Sequence, residues 1–275
     1  MKYKLICLDM DGTLLDSKKN ISDRNIRAIK KAHEIGVKIA VCTGRIFTSA
    51  SYYGTLIGVK APIIASNGAY IREKDRNEVI YKSVLEVENC KVILAILKKY
   101  NIVPHFFTND SIFTEKLSYF SAHYNESNRY VPNENKVNIT ITEDWERIFK
   151  ENPLEIIKAV AADDDLKKIQ KAKEEIKGMN LLEVVSSSKN NFEIMNRDTN
   201  KGKGAKILAD FYGIMPNEVI CIGDNENDIS MIKYAGLGVA MGNSEDEVKK
   251  IADYITATND DDGVAKVIEK FVLNY

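Results

Sequence analysis

Four short runs in this chain are apolar on consecutive residues, and each ends in a polar or glycine-bearing corner: KLICLDMDG (4–12), VKIAVCTGR (37–45), APIIASNG (61–68) and EVICIGDN (218–225). A strand alternates its side chains between two faces, so an unbroken apolar run must be covered on both. Helix-period segments separate the runs: SDRNIRAIKKAHEIG (22–36), with Ser22 as N-cap and Gly36 as stop, IFTSASYYGTLIG (46–58) and KGKGAKILADFYGI (201–214). This alternation predicts an α/β fold, a doubly wound parallel sheet with helices on both faces. The tail continues it with a helix (ENDISMIKYAG), a strand and turn (GLGVAMGN), a helix (SEDEVKKIADY), a short strand and a closing helix.

The middle of the chain breaks the pattern. A helix (VENCKVILAILKKYN), two short strands (IVPHFFT, SIFTEKL), a polar stretch from Ser118 to Asn138, and then strand, helix, strand and strand up to NFEIMN suggest a smaller α+β insert with antiparallel pairing. The expected division is a core of residues 1–82 and 191–275 interrupted by an inserted domain, 83–190.

Polar residues gather where the parallel strands end: Asp9 and Asp11 after the first, Thr43-Gly44-Arg45 after the second, Asn67-Gly68 after the third, and Asp224 with Asn227 and Asp228 after the fourth. In open α/β sheets the ligand crevice lies outside those carboxyl ends, so segments about 200 residues apart are expected to converge there. Asp9, Asp11, Asp224 and Asp228 offer hard oxygen donors without nitrogen or sulfur, a set suited to Mg²⁺. Single acids at loop ends are often mere helix caps, but four at the strand ends fit a cation site better. Thr43-Gly44 has the residues of a phosphate seat, a hydroxyl and unobstructed backbone N–H groups at a helix start. A lysine could neutralise the anion, but spacing alone does not choose among Lys201, Lys203 and Lys206.

Composition narrows the partners. Lys and Arg total 39 against 40 Asp and Glu, so no basic excess draws nucleic acid or anionic lipid. No apolar stretch is long enough for a signal h-region or a membrane span, and Cys7, Cys42, Cys90 and Cys221 have neither disulfide-framework nor zinc spacing. The expected setting is a reducing cytoplasm.

Asp9-Met-Asp11-Gly12-Thr13, Thr43-Gly44-Arg45, Lys201-Gly202 and Gly223-Asp224-Asn225-Glu226-Asn227-Asp228 resemble, in order, the four motifs of haloacid dehalogenase-like hydrolases. The run from GDNEND to DYIT and the later NDDDGVAKVI resemble the Cof-type subfamily, which carries a class IIB cap between its second and third motifs. The lead-in NRDTN before Lys201 departs from the family's usual glycine-valine-serine but keeps the lysine.

The resemblance implies a Mg²⁺-dependent phosphatase of small soluble phosphate monoesters, sugar phosphates or phosphorylated cofactors, working through an aspartyl-phosphate. It assigns Asp9 as nucleophile and metal ligand, and Asp11 as general acid/base that meets the metal through its backbone carbonyl. Asp224 becomes a metal ligand and Asp228 its outer support. Thr43, Gly44, Lys201 and Asn227 become phosphate-binding residues, and Arg45 a substrate contact. A phosphomutase, or a silent binding module on the same fold, are the alternatives.

Other motifs are weaker. GLGVAMG (236–242) follows a helix rather than a strand-to-helix turn, against a dinucleotide fingerprint. The stretch from Thr258 to Glu269 mimics a calcium loop but starts with Thr, and no Walker-A spacing occurs.

Overall fold

A computed structural model describes residues 2–73 and 78–274. The chain divides into two compact units, one of residues 1–44, 50–81 and 200–275, the other of residues 45–49 and 82–199.

The first unit contains β1 (Leu5–Leu8), α1 (Asp23–Glu34), β2 (Lys38–Cys42), most of α2 (Phe47–Leu56), β3 (Ile63–Ala65), β4 (Tyr70–Arg72) and, but for its last residue, β5 (Val79–Lys82). The second contains α3 (Val87–Lys99), β6 (His105–Phe107), β7 (Ser111–Thr114), α4 (Tyr119–Ser127), β8 (Asn138–Ile141), α5 (Trp145–Glu151), β9 (Lys158–Ala162), α6 (Leu166–Gly178), β10 (Leu182–Val185) and β11 (Asn191–Asn196). The first unit resumes with α7 (Lys201–Phe211), β12 (Val219–Gly223), α8 (Ile229–Tyr234), β13 (Leu237–Ala240), α9 (Asp246–Ile251), β14 (Tyr254–Ile255) and α10 (Gly263–Ile268).

The first sheet has the order β14-β13-β12-β1-β2-β3-β4-β5. It is parallel from β14 to β3, and β4 turns back antiparallel to β3. Leu5 and Cys7 face a cluster with Ala205, Leu208 and Ala209 of α7, while the alternate residues Ile6 and Leu8 are equally buried. Both faces are covered, as the apolar runs require, and each fully buried aliphatic side chain contributes about 1.5–3 kcal/mol. Ser22 caps α1, its hydroxyl accepting from the Asn25 N–H at 3.1 Å.

The calcium-loop look-alike is used otherwise. The Ser17 N–H donates to Asp260 at 2.8 Å, the Ser22 hydroxyl to Asp262 at 2.5 Å, and Arg24 to Glu269 at 2.7 Å. Among the described residues, no helix is long and apolar enough to cross a membrane.

The second sheet has the order β10-β11-β9-β6-β7-β8, antiparallel except for the parallel pair β7 and β8. One face packs Phe106, Phe113, Ala159, Ala161 and Phe192 against α3, α5 and α6. The other carries Phe107, Ile112 and Val160, which cluster with Tyr124 of α4 and with Ile46. The Tyr124 hydroxyl accepts from the Ile46 N–H at 3.4 Å, which helps place residues 45–49 in this unit. Strand β11 pairs with β9 and β10, so the unit runs to Thr199, past the expected end at 190.

His105, fully buried on β6, has Nδ1 3.1 Å from the Val103 carbonyl and Nε2 3.1 Å from both the Ser118 carbonyl and the Ser121 hydroxyl. Burial outweighs the two carbonyls, which favour the charged ring, and lowers its pKa from 6.5 to about 4. In this window the unfolded chain binds the extra proton. His105 therefore contributes in full above pH 6.5 and loses its contribution as pH falls toward 4, by up to about 3 kcal/mol. Unfolding measured across this window is expected to show wild type losing more stability than His105→Gln; equal losses would contradict the assignment.

Candidate active site

Register brings the acids together. Leu8 is level with Ile222 in the parallel pair β1–β12, and the Asp9 N–H continues the ladder to the Ile222 carbonyl at 3.0 Å. Asp9 and Asp224 thus leave neighbouring strands at the same end of the sheet. The loop after β1 is drawn in over Asp224. Gly12 has φ +85°, and a Cβ there would stand 2.4 Å from Asp224 Oδ2. The Thr13 hydroxyl donates to Asp224 Oδ1 at 2.9 Å and the Asn225 amide to Oδ2 at 2.9 Å. Asp228 turns back under the same loop, its Oδ2 accepting from the backbone N–H groups of Asp224 (2.8 Å) and Asn225 (3.0 Å).

Helix α7 supplies the cation. Asn200 caps it by accepting from the Lys203 N–H at 2.9 Å, so Lys201 opens the helix, fully buried. An ammonium at a helix N-terminus meets the positive end of the helix dipole and needs compensation. Two carboxylates provide it: Lys201 Nζ donates to Asp9 Oδ1 and to Asp228 Oδ1, each at 2.6 Å. Burial pulls its pKa down, but the charges of Asp228 and Asp9 outweigh this and hold it well above the usual lysine value.

Negative charge remains in excess. Carboxylate oxygens of Asp9, Asp224 and Asp228 lie within 4.8 Å of one another, all buried. Three carboxylates against one ammonium leave two negative charges. Burial, then the charge of Asp228, holds Asp9 well above its usual pKa despite Lys201. The same two causes raise Asp224 to about 7. A cluster that retains protons for want of positive charge is suited to a divalent cation, which would replace them. The donors are all hard oxygens, so the set fits Mg²⁺. Asp228 meets the Lys201 ammonium and two backbone N–H groups, a fuller set of donors than Asp9 or Asp224 has, which favours Asp9 and Asp224 as the carboxylates to hold an ion.

The other expected residues are placed as follows. Asp11 stands outside the buried group, its side chain 39% exposed and paired with Lys19 Nζ at 2.9 Å. Thr43 is buried, but its N–H donates to the Ile64 carbonyl at 2.8 Å and α2 begins only at Phe47. Of the Thr43-Gly44 N–H groups expected to be unobstructed at a helix start, that of Thr43 is taken up by β2–β3 pairing, which corrects the expectation for that donor. Gly44 ends the first segment of the first unit, and Arg45 opens the segment grouped with the second. Asn227 is buried, and its amide donates to Asn67 Oδ1 at 3.1 Å.

Sequence reading assigned no role to Thr13 beyond its motif, nor to Asn243, whose amide donates to the Gly12 carbonyl at 2.8 Å. Nothing local marks Asn243; only the fold brings it to the loop.

A family model for haloacid dehalogenase-like hydrolases matches residues 6–268. The chain is 33% identical to 5-amino-6-(5-phospho-D-ribitylamino)uracil phosphatase YcsE of Bacillus subtilis, covering 98% of this chain and 96% of the relative. It is similar to the structure of a haloacid dehalogenase-like hydrolase from B. subtilis, with TM-score 0.87 and 28% identity over 99% of this chain and 100% of the other. A HAD subclass IIB sugar phosphatase is similar with TM-score 0.79 and 27% identity, over 98% of each chain.

Replacing Lys201 by Met would leave Asp9 and Asp228 buried without their ammonium. The expected loss of stability is about 3–5 kcal/mol by denaturant unfolding, partly recovered when Asp228→Asn is added. A loss below about 1 kcal/mol would show that the carboxylates do not depend on it.

Proposed function

The chain belongs to the haloacid dehalogenase-like hydrolases, and from that premise we propose that it is a Mg²⁺-dependent phosphatase of small soluble phosphate monoesters. The observation that carries the proposal is the ammonium of Lys201 held 2.6 Å from both Asp9 and Asp228, with Asp224 in the same buried group.

In this reading Asp9 is the nucleophile. Its carboxylate attacks phosphorus, the ester P–O bond breaks, and an aspartyl-phosphate forms on Asp9. Asp11 gives its proton to the departing alkoxide and then takes one from the water that attacks phosphorus and releases Asp9. The position of Asp11 supports a separate role, because its side chain pairs with Lys19 at the surface and stands apart from Asp9, Asp224 and Asp228. Lys201 opposes the rise in the Asp9 pKa and faces the negative charge of the phosphoryl group, and Thr43, Gly44 and Asn227 hold the phosphoryl oxygens. Asp228 fixes the direction of Lys201. Arg45, next in the chain to Gly44, contacts the substrate. Mg²⁺, held by Asp9, Asp224 and the Asp11 carbonyl, would draw off charge from the phosphoryl oxygens.

A sugar phosphate or a phosphorylated cofactor is the favoured substrate class. Its support is the named activity of two relatives, one a sugar phosphatase and one acting on a phosphoribitylamino-pyrimidine.

Phosphate release from an aryl phosphate tests the reading. It should require Mg²⁺, stop with a chelator and vanish in Asp9→Asn. In Asp11→Asn, kcat should drop about 10²–10⁴-fold with KM little changed. Isomerised sugar phosphate without phosphate release would make the protein a mutase; activity surviving in Asp9→Asn would overturn the mechanism.

A further inference from the structure

The corner after β3 is built at a cost that packing does not explain. Ser66, Asn67 and Gly68 are successive residues with positive φ of 48°, 54° and 93°. Glycine takes this conformation freely, asparagine tolerates it and serine does not favour it. All three residues are buried, and the Ser66 hydroxyl finds no hydrogen-bond partner there. Buried strain and an unsatisfied hydroxyl persist only where surroundings over-determine the backbone, and such places cluster at functional sites.

The surroundings are visible. The Asn67 N–H donates to the Thr43 carbonyl at 3.0 Å, and the Ala69 N–H to the Ser66 carbonyl at 3.1 Å. A Cβ on Gly68 would stand 2.4 Å from the carbonyl of Asn200, the residue that caps the helix of Lys201. The corner is thus clamped between Thr43 and Asn200. Its product is the placement of one group: Asn67 Oδ1, which accepts from Asn227 Nδ2 at 3.1 Å.

We infer that Asn67 is a positioning residue that sets the Asn227 carboxamide with its nitrogen, not its oxygen, toward a phosphoryl group. This rests on the reading of Asn227 as a phosphate-binding residue. A carboxamide can turn end over end, and the two ends differ in sign for an anion: the NH₂ donates, the oxygen repels. Nδ2 carries two protons. Giving one to Asn67 Oδ1 fixes the rotation and commits the other to a single direction. Asparagine at 67 meets two demands at once, tolerance of positive φ and an acceptor at the right reach.

A purely structural role makes the opposite forecast. If Asn67 were present only because the backbone is left-handed there, glycine would serve as well or better. The test is inorganic phosphate binding to the Mg²⁺-loaded protein by calorimetry, for wild type, Asn67→Gly, Asn227→Ala and the double variant, with melting temperatures alongside. Asn67→Gly should keep its melting temperature yet bind phosphate about tenfold more weakly, in line with one lost charge-assisted hydrogen bond. The double variant should bind no more weakly than Asn227→Ala alone. Unchanged affinity in Asn67→Gly, or losses that multiply in the double variant, would overturn the inference, as would a wild type that binds no phosphate.

A second measurement needs no variant. In ¹⁵N spectra of the wild type, added phosphate should shift one of the two Asn227 Nδ2 protons and leave its partner in place; movement of both or neither counts against it. A protein that binds phosphate as forecast but releases none from phosphomonoesters would end the proposed hydrolysis and leave this inference standing.

Discussion

A fully buried ammonium between two carboxylates is the constraint around which the first unit is arranged. Burying an ion is costly, and only close opposite charge with good geometry offsets the cost. Lys201 meets both conditions because three separate pieces of chain are fixed with little freedom. The β1–β12 register carries Asp9, the N-cap at Asn200 starts α7 at the lysine, and the turn after β12 brings Asp228 back onto its own backbone. Parallel strands are what allow this, since they end on the same side and present their following loops together.

The same physics divides two acids that stand two residues apart. Asp9 is drawn into the buried group, where burial and neighbouring carboxylates raise its pKa. Asp11 escapes it, because the loop turns at Gly12 to approach Asp224 and leaves the Asp11 side chain partly in solvent beside Lys19. One acid is held in the buried charge network and the other pairs with Lys19 at the surface. Environment rather than residue type separates their proposed tasks.

Much of this was legible in the residues. The unbroken apolar runs demanded a sheet covered on both faces, and Ser22 and Gly36 bracketed α1 to within a residue. Of the four strand-end acids, Asp9, Asp224 and Asp228 come together, and the side chain of Asp11 does not. What escaped were features carried by tertiary contacts. Helix α4 buries Ser121 and Tyr124 within a mostly polar sequence, so its period was faint, and the short α5 went unseen in the same way. Strands β4 and β5, the last two of the first sheet, are too short to show a pattern. NFEIMN reads as a strand of the insert, yet the boundary at 190 leaves it out because its pairing with β9 is not written locally, and the left-handed corner at Asn67 gave only an Asn-Gly pair without a purpose. Pairing partners, which decide the fate of the Thr43 N–H, are not written locally at all.

The central claim is that the buried acids are two positive charges short. Calorimetric titration of the protein with Mg²⁺ tests it directly, without reference to turnover. The account predicts a single site that Asp224→Asn abolishes and Asp11→Asn preserves. Binding that survives in Asp224→Asn, or that disappears in Asp11→Asn, would contradict it.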